Sequence, residues 1–171
     1  MEALQKALEA RSKKVNKVEI TKANKDSMDV YAQLEEIAAA GYENLSKDDS
    51  AYFLKCFGLF DKGEDFMLRV RVPVGQLSNT QAIRIGEVAK EYGNDYIDIT
   101  TRMQIELRYL QIKDIAKVLQ ALKEVGISTF QTGADNPRNI VTDPLDGIAY
   151  DNIIETKPIV DKLQTLTIEN P

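Results

Sequence analysis

A chain of 171 residues, 43% of them hydrophobic, is long enough to bury a core, and one domain with an extension is the natural division. Its net charge of −5 argues against nucleic acid or an anionic membrane surface as the main partner. With no histidine and a single cysteine, Cys56, it excludes His-based acid–base chemistry, ordinary His metal sites and an internal disulfide.

The start, MEALQKALEARSKK, has charged residues throughout and no apolar signal-peptide core. No run approaches the roughly 20 apolar residues that span a bilayer. Together with the lone cysteine, this points to a cytoplasmic protein without a membrane partner. Residues 1–26 read as a frayed helical extension and linker. Residues 27–60 read as a helical lead-in. Ser27 caps a helix through Val30, Leu34, Ile37 and Ala38 that stops at Gly41, and Ser46 or Asp49 opens a second through Tyr52, Phe53, Leu54 and Cys56. Cys56 in that apolar company reads as structural.

After a turn at DKGED, Phe66 to Val72 alternates as a strand, with Met67, Arg69 and Arg71 on the face opposite Phe66, Leu68, Val70 and Val72. Ser78-Asn79-Thr80-Gln81 is a capping box for a helix with an Ala82–Ile85–Val88–Ala89–Tyr92 stripe, ended by Gly93. Tyr96 to Arg108 reads as a hairpin bent at Thr100-Thr101-Arg102. Ile97 and Ile99, and then Met103, Ile105 and Leu107, form its core face, while Gln104, Glu106 and Arg108 form a polar one. Ile112 to Val125 is a second amphipathic helix, and Ile127 to Gln131 a short closing strand. The order strand–helix–strand–strand–helix–strand is the ferredoxin-like βαββαβ unit. The fold class is therefore α+β, with this unit over 61–157, a helical N-terminal extension before it, and 158–171 opening a following region through a helix near Pro158–Leu166.

Arginine is concentrated mid-chain, at 69, 71, 84, 102, 108 and 138, with only Arg11 outside. Arginine suits carboxylates and phosphates because its donors form a planar fork. Like charges on neighbouring strands repel, so the residues alone leave two readings of the sheet face: internal pairing through Glu106 and Asp98, or an external polyanion. The turn Gly133–Asn139 presents Arg138 and Asn139. Phosphate loops, nucleophile elbows and CxxC motifs are absent, and an RNA-recognition sheet would need aromatics where this one has arginine.

FMLRVRVPVG, Thr100-Thr101-Arg102 with Arg108 closing its strand, Gly126-Ile127-Ser128-Thr129 and DNPRNIV in this order resemble the siroheme-dependent nitrite and sulfite reductases, over roughly residues 30–160. KCFGLF before the first strand and DPLDGI after the last motif extend the likeness. The resemblance implies the N-terminal ferredoxin-like half-domain of a longer oxidoreductase that reduces nitrite to ammonia or sulfite to sulfide, and whose C-terminal half is this chain's partner. It implies siroheme coupled to a 4Fe-4S cluster, with a ferredoxin or a reductase subunit as electron donor. By position, Arg102 reaches the substrate anion as the catalytic residue, and Arg71, Thr101, Arg102, Arg108, Arg138 and Asn139 bind siroheme. The cluster cysteines are not in this chain, so no metal ligand is assigned and the chain alone is expected to be inactive. A stand-alone tetrapyrrole- or protein-binding module without redox chemistry is the alternative, and a small-anion regulatory domain a third. Two positions depart from the family pattern, Met103 and Glu106, where glutamine is usual.

Overall fold

The computed structural model describes residues 17–134 and 136–169. Most of the expected extension, residues 1–16, and the last two residues lie outside that range. Helix α1 (Lys17–Asn24) leads to α2 (Ser27–Ala32) and α3 (Leu34–Ala40). The cap of α2 is Asp26, one residue before the expected Ser27: its carboxylate accepts the Met28 N–H at 2.9 Å. The expected second lead-in helix is a single wide turn, Asp49–Phe53, running into a short α4 (Leu54–Cys56). Its side chains are what matter, because Phe53, Leu54 and Cys56 are all buried.

A hairpin follows, β1 (Leu59–Asp61) and β2 (Phe66–Val70), then α5 (Asn79–Tyr92), β3 (Ile97–Ile99), β4 (Ile105–Leu110), α6 (Ile115–Glu124) and α7 (Lys157–Glu169). The four strands form one antiparallel sheet in the order β1-β2-β4-β3. Both bonds of the capping box on α5 are made: Gln81 N–H to Ser78 Oγ at 3.2 Å, and Ser78 N–H to Gln81 Oε1 at 3.0 Å. From this helix Ile85, Val88 and Ala89 are buried, and from α6 Ile115, Val118, Leu119 and Leu122. They join Leu68, Val70, Leu107 and Leu110 in one core. Full burial of one such leucine contributes about 1.5–3 kcal/mol. Gly93, after α5, has an ordinary φ of −121°. Its reason is space, since a Cβ there would stand 2.9 Å from the Arg108 carbonyl oxygen.

The expected closing strand is not a strand. Residues 127–129 belong to no regular element and 130–131 form a turn with Gln131 at φ +56°, while in the sheet position beside β2 sits β1, which sequence periodicity did not single out. The segment therefore meets the strand only beyond Val70, where the Arg71 N–H donates to the Ser128 carbonyl at 3.0 Å. Two further expectations change. Between Phe66↔Leu110 and Leu68↔Leu107 the register slips by one residue, and Tyr109 takes φ +61°. This bulge sends both Leu107 and Leu110 inward. Ile97 and Ile99, expected to face the core, are 41% and 80% exposed. They lie on an edge strand, beyond the ground covered by the helices.

Candidate functional site

The arginine face is braced by charge pairs within the sheet. β2 and β4 place Arg69 opposite Glu106, and β3 places Asp98 opposite Glu106. Glu106 Oε1 accepts from Arg69 Nε at 3.1 Å and Nη2 at 2.8 Å, while its Oε2 accepts from Arg108 Nη2 at 2.8 Å. Arg108 Nε donates to Asp98 Oδ2 at 2.7 Å, and the Tyr96 hydroxyl to Asp98 Oδ1 at 2.9 Å. Two cations thus meet two carboxylates, and the repulsion between neighbouring arginines is compensated internally. The Tyr96 and Arg108 hydrogen bonds hold the Asp98 carboxyl below its ordinary pKa. Burial pulls the Arg108 guanidinium down, but Asp98 and Glu106 outweigh it and leave its pKa above the usual arginine value. Arg108 remains about 31% exposed, with its Nη1 making no hydrogen bond among the described residues.

Arg71 is different: it is 2% exposed and faces no carboxylate. Nε donates to the Phe130 carbonyl at 3.2 Å, Nη2 to those of Gln131 at 2.8 Å and Pro137 at 2.9 Å, and Nη1 to that of Arg138 at 3.0 Å. One guanidinium therefore ties residues 130–131 to residues 137–138, leaving one of its five hydrogens. Burial pushes its pKa down to about 10, so it stays charged at neutral pH. The loop fits tightly because glycine allows it. At Gly58 (φ +77°) a Cβ would lie 2.6 Å from the Arg69 carbonyl, and at Gly133 one would lie 2.5 Å from that of Lys55.

Asn139 completes the brace. Its Nδ2 donates to the Val72 carbonyl at 2.7 Å and to the Arg102 carbonyl at 2.9 Å, tying the loop to the end of β2 and to the Thr100-Thr101-Arg102 turn. Its Oδ1 is buried without a partner among the described residues. Inside the turn, Thr100 Oγ1 accepts the N–H groups of Arg102 at 3.3 Å and Gln104 at 3.1 Å, and Met103 takes φ +56°. Sequence reading passed over Thr100 as a holding residue. The signal available was a hydroxyl at the first position of a tight polar turn.

The outcome for the predicted site residues is a division. Arg71 and Asn139 are buried and bind backbone. Thr101, Arg102 and Arg138 are exposed, and among the described residues neither the Arg102 nor the Arg138 guanidinium has an ion pair. The two free arginines are held close through their backbones, since Asn139 grips the Arg102 carbonyl and Arg71 grips the Arg138 carbonyl. Such a pair of unpaired cations on fixed backbone can bind an anion without first breaking an internal ion pair.

Known proteins resemble this chain in sequence and in fold. Residues 61–125 match the family described as the nitrite/sulfite reductase ferredoxin-like half domain. Those residues are a domain of that family. Ferredoxin–nitrite reductase of Leptolyngbya laminosa is 36% identical over 161 residues, covering 91% of this chain and 31% of the relative. The chloroplastic ferredoxin–nitrite reductase of Arabidopsis thaliana is 32% identical over 92% of this chain and 29% of its own length. The structure of the Mycobacterium tuberculosis NirA protein superposes with a TM-score of 0.82 at 23% identity, over 92% of this chain and 32% of that one, and so shares the fold. This half-domain chain spans about a third of the length of the curated relatives it matches. Among its described residues no helix is long and apolar enough to cross a membrane.

Proposed function

We propose that the chain supplies the arginine-bearing part of a siroheme site in a reductase of nitrite or sulfite, with the half-domain over 61–157 as the working unit. The observation that carries this reading is the pair of exposed arginines, Arg102 and Arg138, which have no ion pair among the described residues, on a backbone locked by Asn139 and Arg71. A macrocycle bearing many carboxylates needs cations that are free and fixed, and the donor set fits. Arg102, Arg138, the uncommitted Nη1 of Arg108 and the Thr101 hydroxyl would hold its carboxylates. Arg71 and Asn139 serve mainly through the backbone they grip. When bound, siroheme supplies the electron-transfer chemistry at its iron.

Arg102 also meets the substrate anion in this reading. A guanidinium at the tip of a turn carries permanent charge and several N–H donors, so it neutralises nitrite or sulfite and orients it by hydrogen bonds. Having no ion pair to give up, it does so at little reorganisation cost. A 4Fe-4S cluster takes four cysteine thiolates, and this sequence has one cysteine, buried Cys56. The cluster ligands therefore come from another stretch of polypeptide, the C-terminal half, and the chain is inactive alone. The relatives' names favour nitrite as substrate and ferredoxin as electron donor.

Titration of siroheme into the chain, followed by absorbance, tests the binding. Loss of one charge-assisted contact is worth about 1.5–3 kcal/mol, so Arg102→Ala and Arg138→Ala should each weaken binding about tenfold or more. Arg84→Ala, at a helix arginine paired with Glu87 and Glu124, should not. Undiminished binding in both site variants would overturn the reading. Nitrite and sulfite assays after assembly with the C-terminal part of the Leptolyngbya laminosa enzyme test the chemistry. Turnover unchanged by Arg102→Ala would remove its catalytic role, and siroheme binding without turnover would return the chain to a non-redox binding module.

A further inference from the structure

Among the described residues a few buried side-chain polar atoms lack a partner, and two of them belong to one group: Nε2 and Oε1 of the Gln131 amide are both unmatched. A buried donor or acceptor left unpaired costs free energy that folds normally avoid, so two on one side chain call for a physical reason. The backbone does not let this side chain leave. The Gln131 N–H donates to the Cys56 carbonyl, and its own carbonyl accepts from Arg71 Nη2 at 2.8 Å. Pinned on both sides at φ +56°, the residue is only 1% exposed.

Gln131 lines a cleft of about 390 Å³ formed by residues 22–29, 52–56 and 130–136. Small-molecule sites run from about 300 to 1,000 Å³, so the cleft has room for a single ring system. Several polar neighbours of Gln131 there are already committed. Lys25 Nζ pairs with Asp49 at 2.7 Å, and the Asp26 carboxylate caps α2. Asn136 Nδ2 donates to the Gly133 carbonyl at 3.0 Å and to the Cys56 sulfur at 3.4 Å. Lys22 and Lys25 are matched in number by Asp26 and Asp29, so the formal charges of the lining cancel and favour neither an anion nor a cation. Phe53 and Phe130 add aromatic surface.

We propose that this cleft binds a neutral, planar heterocycle carrying an amide edge, an N–H beside a C=O, which pairs with Oε1 and Nε2 of Gln131. A glutamine amide presents an acceptor and a donor in one plane, so its complement presents a donor beside an acceptor. Glutamine reads the edge of a base by the same two-bond pairing. The aromatic side chains supply contact for the faces of the ring. Both amide atoms are covered in the free chain, so the ligand reaches them as the cleft wall yields, and it satisfies two unmatched groups at once. A uracil-type base and a nicotinamide-type ring carboxamide share this edge. Arg102, Arg108 and Arg138 do not line the cleft, so it is separate from the proposed siroheme site.

Uridine and nicotinamide, titrated separately into the whole chain, distinguish the two sources. Binding is followed by calorimetry and by the Gln131 side-chain NH2 signals, assigned by through-bond NMR. At least one probe should bind and shift those signals, and whichever binds names the source. Uridine methylated at its ring N–H, and methyl nicotinate, should bind about tenfold or more weakly than their parents, because each leaves Gln131 unmatched. Gln131→Met keeps the length of the side chain and removes both unmatched atoms. It should unfold at the same or a higher temperature while losing affinity about tenfold or more. Arg102→Ala should bind the probes as the unaltered chain does. Binding of neither probe, equal binding of the blocked analogues, unmoved Gln131 signals, full affinity in Gln131→Met or lost affinity in Arg102→Ala would overturn the proposal. Should Gln131→Met fail to fold, the blocked analogues and the Gln131 signals of the unaltered chain still decide.

Discussion

Arg71, between the valines of an alternating strand, and Arg102, in a polar turn, were both expected to face the same anionic ligand, yet the molecule uses them in opposite ways. Arg71 is buried, and its donors are taken by four backbone carbonyls. Arg102 stands exposed, and only its backbone is held, by Thr100 and Asn139. A buried cation is tolerable only when its hydrogens are satisfied, so Arg71 organises the fold around itself. An exposed cation without a partner contributes little to stability and remains available to a ligand. The difference teaches that the site consists of a rigid inner layer and a free outer one.

The sharpest way to break that comparison is Arg71→Ala, which strands four carbonyls and unpins the loop. Urea unfolding should show a loss of about 3 kcal/mol, with Arg71→Lys recovering only part of it, since one ammonium cannot span four acceptors. A loss below about 1 kcal/mol would mean that the loop holds itself. Asn139→Ala ranks next, at about 2 kcal/mol, because two carbonyls lose their shared donor. Hydrogen exchange at Arg102–Gln104 should quicken in the same variant, and an unchanged turn would show that Thr100 suffices. The smallest effect is electrostatic. The Asp98 pKa is lowered in the folded state by Tyr96 and Arg108, so its contribution is present above the ordinary aspartate value, about 3.9, and is lost as pH falls through the folded value. Unfolding midpoints should therefore decline below about pH 4, and Asp98→Asn should remove a share of that decline. An identical acid profile in the variant would exclude Asp98 as a contributor.

Much of this was legible in the linear pattern. The capping box at Ser78–Gln81, the apolar stripes of α5 and α6, the arginine strand and the Thr100-Thr101-Arg102 bend all announced themselves because they depend on residues close in sequence. What escaped detection depended on who sits beside whom. The hairpin partner β1 is three residues long, too short for periodicity to register, and its presence beside β2 leaves residues 127–131 outside the ladder. The Tyr109 bulge is invisible to an alternating count, which assumes one residue opposite one. Ile97 and Ile99 carry the same apolar signature as core residues, and only the order of strands shows that they end on an open edge.

The residue types by themselves determined the fold class, the absence of histidine chemistry and the gathering of arginine in an acidic chain, because helix and strand periods and side-chain chemistry are local properties. Tertiary structure alone decided which arginines are spent and which are free. That choice rests on burial and on long-range partners: Glu106 between Arg69 and Arg108, four distant carbonyls around Arg71, and solvent around Arg102 and Arg138. An arginine's charge is written in the sequence, but its availability depends on what the fold brings within hydrogen-bonding distance.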